Sequence, residues 1–132
     1  MTNETTSLAA PVEEAIADLE REYGPIAVQP SDDGGAVITV SGIDISSRWE
    51  PSQIDVHFLV PFNFPFAYIY PFYTDSVLTR TDGGGWPSAL QRVVWRDQER
   101  TQISLRPKSW QPQIETASAR VGLVRHWFQT EA

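Results

Sequence analysis

A chain of 132 residues is long enough for one domain with a single core and too short for two. Its apolar (41%) and charged (20%) fractions are those of an ordinary globular protein, and no run nears the ~18 apolar residues that a membrane span needs. The net charge of −7 argues against nucleic acid as a partner, and the lack of cysteine excludes disulfides, cysteine-ligated metal and thioester chemistry in this sequence.

Residues 1–10 are polar and acidic without an apolar core, so they read as a disordered segment rather than a signal peptide, and a cytoplasmic location is expected. One domain is expected over 11–132. Pro11 suits the first position of a helix, Glu13 and Glu14 its positive end, and Gly24 its stop. Between them Val12, Ala15, Ile16, Leu19 and Tyr23 recur at helical spacing, which predicts an amphipathic helix over 11–23. Ile26 to Gln29, the turn cluster Ser31 to Gly35, and Ala36 to Ile45 predict a hairpin. A third strand is predicted over Gln53 to Val60, with Ile54, Val56 and Phe58 on one face and Asp55 and His57 on the other. That alternation makes His57 a sheet-face histidine, with acid–base work as the sharper reading.

Pro61 opens a segment in which seven aromatic residues crowd between Phe62 and Tyr73, interleaved with Pro65 and Pro71. Prolines deny a ladder its donors, so 61–66 is expected at the rim of the sheet, with Ala67 to Tyr70 a short edge strand. A long loop is expected over 74–90. Its Gly83-Gly84-Gly85 run follows no strand and opens no helix, so it reads as a loop rather than a phosphate cradle. Gln91 to Trp95 and Thr101 to Leu105 flank the charged turn Arg96 to Arg100 as a second hairpin. A second helix is predicted from Pro112 to Phe128, burying Ile114, Ala117, Val121, Val124 and Phe128. His126, near its end, is explained by the helix dipole. The two histidines stand 69 positions apart, so no metal site is expected, and no cofactor. Helix, about four antiparallel strands, irregular segment, helix: the order predicts an α+β fold with helices packed on a sheet.

Charge is unevenly placed along that order. Through Asp55 eleven acids stand against Arg21 and Arg48, whereas from Val56 onward six acids face eight bases. One acidic and one mildly basic side are expected, serving protein partners or solubility alone.

Two segments carry a resemblance. Pro61-Phe62-Asn63-Phe64-Pro65-Phe66, following a strand, is similar to the Pro-x-x-(Tyr/Phe)-Pro-Phe signature of the ubiquitin-conjugating enzyme superfamily. Ile103-Ser104-Leu105, followed by Trp110-Gln111-Pro112 at a helix start, resembles the family's Ile-Cys-Leu nucleophile segment and the Trp-Ser-Pro beyond it. The signature residues are thus Pro61, Phe64, Pro65, Phe66, Trp110 and Pro112, and the match spans roughly 11–128. Three features depart from the pattern. Serine stands where the family has cysteine, the His-Pro-Asn that precedes the nucleophile is absent, and the two C-terminal helices of longer members are missing. The chain most resembles the divergent bacterial branch, encoded beside ubiquitin-like proteins and activating-enzyme homologues.

The resemblance implies a fold with an N-terminal helix, a meander of about four strands and a long second helix. It implies a ubiquitin-like protein, an activating-enzyme homologue and a protein acceptor as partners, with Ser104 carrying the ubiquitin-like protein as an oxyester. Serine is a poor nucleophile at neutral pH, so such an enzyme needs a base and an oxyanion site. Arg100, Arg106 and Lys108 would place positive charge around Ser104, and Asp97 or Asp75 would serve as base; plain exposed charges are the alternative. Two other readings stand beside the enzyme. One is a catalytically inactive binding module on the same fold; the other is a Cys-to-Ser form of a thioester enzyme.

Overall fold

A computed structural model describes residues 8–132. Helix α1 (Ala10–Tyr23) is followed by β1 (Ala27–Pro30), β2 (Ala36–Asp44), β3 (Trp49–Glu50), β4 (Gln53–Val60), β5 (Phe72–Thr74), β6 (Thr79–Arg80), β7 (Leu90–Trp95), β8 (Gln98–Ile103) and α2 (Ala117–Thr130). The architecture is α+β: two helices against an antiparallel sheet of order β1-β2-β4-β5-β8-β7, with β3 and β6 forming a separate ribbon. The sheet has six strands rather than about four.

Helix α1 starts at Pro11's neighbour Ala10 and stops where Gly24 takes φ 77°, a conformation that glycine adopts without strain. Of the residues expected to be disordered, 1–7 lie outside the described residues. Leu8 and Ala9 pack against the core, and the Ala9 amide donates to Gly34 O at 3.0 Å. Strand β4 runs as predicted. Ile54, Val56, Phe58 and Val60 are buried beneath the helices, and β2 adds Ala36, Ile38 and Val40 to the same face. Gly35 is required at the turn before β2, because a Cβ there would meet Val60 O at 2.7 Å.

Three expectations are corrected. Residues 67–70 form no strand; the strand is Phe72–Thr74, in the middle of the sheet, and its three residues are all buried. The second hairpin turns on two residues, Arg96 and Asp97, both at positive φ (53° and 66°), rather than on five. Helix α2 begins at Ala117, not Pro112. Thr116 caps it by accepting the Ala119 amide at 3.2 Å, and Asp18 of α1 accepts the Ser118 amide at 2.8 Å, so two orphan donors are satisfied there. Pro112 opens a turn instead, and Ile114, expected in the core, is 70% exposed.

The C-terminal half of α2 is tied to the sheet by Arg48, whose Nη2 donates to Phe128 O at 2.9 Å, and by Gln129, which donates to Asp44 O. The long loop is ordered by its own contacts. Trp86 donates to Leu78 O at 2.6 Å, and Asp82 accepts both Arg80 and the Gly84 amide. The Gly84 donor of the glycine run is therefore already engaged by an internal carboxylate. No helix of the described residues is long and apolar enough to cross a membrane.

Candidate functional site

Ser104 follows the last residue of β8, and its amide donates to Ala89 O at 2.9 Å, which ties the end of the long loop to the serine. Ile103 beside it is fully buried and paired with Phe72, so the core fixes the backbone from which Ser104 projects, half-buried. Gln102 Nε2 donates to Ser104 Oγ at 2.8 Å. The serine oxygen thus accepts from an amide and keeps its own proton for another partner.

Close by is Tyr70, whose hydroxyl accepts from Arg106 Nη2 at 3.4 Å beneath a guanidinium 4.7 Å from the ring centroid. Hydrogen bonds from Arg106 and then Ser104 hold the Tyr70 phenol below its ordinary value of 10.0. Ser104, Gln102, Tyr70 and Arg106 make one cluster: a hydroxyl, an amide donor, a phenol and the cation that favours its phenolate. Arg106 was foreseen from its closeness in sequence. Tyr70 was not, because it lies 34 positions before Ser104 and meets it only through the pairing of β5 with β8.

The other supporting candidates go elsewhere. Arg100 points its Nη1 at Asp75 (3.4 Å) and its Nη2 at Gln98 (2.8 Å). Asp97 sits in the hairpin turn, roughly 24 Å along the strand from Ser104 at ~3.4 Å per residue, too far to act as its base. Lys108 lines a separate groove with Leu105, Arg120 and Trp127. Asp75, the other candidate base, is held by His57 and Arg100.

The two segments that carry the resemblance meet in space. Phe64 is buried and packs edge-on against Trp110 with ring centroids 6.2 Å apart, while the Trp110 indole donates to Pro65 O. Pro61 O accepts the Phe64 amide at 2.9 Å and closes the turn that presents Phe66, 80% exposed. Pro65, Phe66 and Pro112 line one apolar groove. Between this pair and the serine stands Arg120, buried (4% exposed), donating to Leu105 O at 2.8 Å with its guanidinium near both Phe72 and Trp110. Burial lowers the Arg120 guanidinium below its ordinary value.

Comparison of the chain with protein-family models, with curated proteins and with solved structures gives no match.

Proposed function

We propose that the chain is a ubiquitin-conjugating-enzyme-like acyl carrier, which accepts a ubiquitin-like protein from an activating enzyme as an oxyester on Ser104 and transfers it to an amine. The observation that carries this reading is the cluster at Ser104. A serine beside a phenol that Arg106 favours as phenolate has the base that an oxyester enzyme needs, and Gln102 Nε2, 2.8 Å from Ser104 Oγ, orients the hydroxyl. The packing of Phe64 on Trp110 supports the match between the two signature segments. In the first step the Ser104 hydroxyl attacks the thioester carbonyl of the incoming protein, its proton passes to the Tyr70 phenolate, and the activating enzyme's thiolate leaves. An amine of the acceptor then attacks the ester carbonyl and the bond to Ser104 Oγ breaks. The serine takes back the proton held by Tyr70, and the amine releases its own to solvent, which restores the hydroxyl and the phenolate.

The test is incubation with the cognate activating enzyme, the ubiquitin-like protein and ATP. An adduct that resists thiols, yields to hydroxylamine and disappears in Ser104→Ala is the expected result. Absence of any adduct, or one indifferent to that substitution, removes the reading.

An inactive binding module is favoured by a different observation, the exposure of Phe62, Phe66, Tyr68 and Ile114 on and beside the signature turn. Under that reading Ser104→Ala leaves biological activity intact.

The carrier reading also sets how the activating enzyme is met. Glu13, Glu14, Glu20 and Glu22 on α1 are exposed, whereas Asp18 is engaged with α2. A partner built for a basic first helix would be repelled, so the cognate enzyme is expected to present a basic surface to α1. Reversing Glu13, Glu14 and Glu20 to Lys should slow association by tenfold or more at low salt, and added salt should slow the native pair. Stopped-flow rates that stay the same in the triple variant would take α1 out of the interface.

A further inference from the structure

A second constellation lies on the outer face of the sheet, opposite the helices. Thr39, His57 and Tyr73 are direct cross-strand partners on β2, β4 and β5. Thr39 Oγ1 lies 2.7 Å from His57 Nδ1, and His57 Nε2 lies 3.1 Å from Asp75 Oδ2. A carboxylate only accepts, so Nε2 carries the proton. In the neutral imidazole Nδ1 is then bare, and the bond to Thr39 must use the threonine's own proton. A hydroxyl, an imidazole poised to take its proton and a carboxylate that orients the imidazole are the parts of a nucleophile relay.

The surroundings are those of a site rather than an open surface. The His57 side chain is only 12% exposed and Tyr73 only 8%, although no helix of the described residues covers this face, while Asp75 stands open to solvent at 59%. The cover is the β7–β8 hairpin, whose Trp95 stacks on Tyr73 with centroids 4.0 Å apart and planes 8° from parallel. Its turn faces Gln29 of β1 across a polar cleft of about 480 Å³, lined also by Arg96, Asp97, Gln98 and Arg100. Arg100 Nη1 stands 3.4 Å from the second oxygen of Asp75, and Arg100 Nε is buried without a partner. Thr39 is half-buried and so remains reachable.

We propose that Thr39, His57 and Asp75 form a second reactive site that cleaves small esters with an anionic acyl group. Thr39 Oγ attacks the ester carbonyl while its proton passes to His57 Nδ1. The bond to the leaving alcohol then breaks, and that alcohol departs with the proton from His57. Water repeats the two transfers on the acyl-threonine, releasing the acid and restoring Thr39. Arg96 and Arg100 hold the carboxylate of the acyl chain. The site does not depend on the carrier reading. Gln102 lies two strands from His57 and Ser104 two residues beyond it, ~12 Å in all at ~4.8 Å per strand and ~3.4 Å per residue.

The test uses the whole chain with two probes, p-nitrophenyl acetate and the mono-p-nitrophenyl ester of succinic acid. Expected are repeated turnovers, faster on the succinate ester, and an acyl group found by mass spectrometry on the peptide holding Thr39. Thr39→Val falls to the buffer rate and Thr39→Ser keeps turnover. His57→Gln and Asp75→Asn each lose at least about tenfold, while Leu123→Ala, an exposed change on α2, stays at the native rate. Native hydrolysis at the buffer rate overturns the proposal, as does turnover that persists in Thr39→Val, which would mark the imidazole itself as nucleophile. Should Thr39→Val fail to fold, an acyl group located on any residue other than Thr39 overturns it instead. Equal rates on the two esters overturn the substrate class.

Discussion

Replacing Phe128 with alanine is expected to cost about 3–5 kcal/mol, a large share of the roughly 5–15 kcal/mol by which such a domain is stable. The ring is fully buried and meets Trp49 edge-on at 5.8 Å and Trp127 at 4.8 Å. Trp49 is itself 1% exposed and belongs to a strand of two residues held by β6, so neither neighbour can move in to fill the space. The Phe128 carbonyl still accepts from Arg48 in the variant, so the loss reports the ring alone. Urea unfolding checks it: the midpoint should fall with an unchanged slope. A loss below 1 kcal/mol would mean that the ring is not packed as described. Leu123→Ala, five residues earlier on α2 and 41% exposed, serves as the reference and should fall within about 0.5 kcal/mol of the native chain.

Phe128 belongs to the part of the fold that patterning makes readable. A helix stripe or a strand alternation depends on neighbours in sequence, so α1, β4 and the buried face of α2 could be traced from Val12, Ala15 and Leu19, from Ile54, Val56 and Phe58, and from Val121, Val124 and Phe128. The misreadings fall where long-range contacts outweigh local signals. Pro112 resembles a first helical residue, yet the cap that α2 uses is Thr116 together with Asp18, 100 residues from its partner Ser118. Phe72, Tyr73 and Thr74 sit among prolines that suggest a rim, but Ile103 and Gln102 pair with them and draw them into the middle of the sheet. The two-residue strands β3 and β6 are too short for any period to show.

The sites follow the same division. Ser104 and Arg106 could be singled out because they stand within or next to a short segment. Tyr70 and Gln102 could not, since a tyrosine among seven aromatics and a glutamine in a charged hairpin carry no local mark. His57 drew notice through its chemistry alone. What makes it a candidate is Asp75 and Thr39, each 18 positions away in opposite directions and joined to it only by strand register and by the start of the long loop. Sequence alone offers Asp75 as a base for Ser104, whereas the fold sets it against His57 and Arg100.

If Tyr70 is the base that the carrier reading requires, Tyr70→Phe should slow adduct formation by roughly 10²–10⁴-fold, the usual worth of a positioned proton acceptor. Phenylalanine keeps the ring that packs against Tyr68 at 6.3 Å, so thermal stability should hold while the rate falls. The pH profile separates this role from mere packing. The phenolate is the active form, so the rate should rise with pH and level off below the ordinary tyrosine value of 10.0, because the Arg106 and Ser104 hydrogen bonds lower the Tyr70 phenol. Removing the cation in Arg106→Met takes away the largest of those influences, so the rising limb should move to higher pH while the plateau is retained. Single-turnover rates of adduct formation across this range are the measurement. A native profile that is flat from neutral to alkaline pH, or one that stays in place in Arg106→Met, would exclude Tyr70 as the base and leave Ser104 without an activating partner in its cluster.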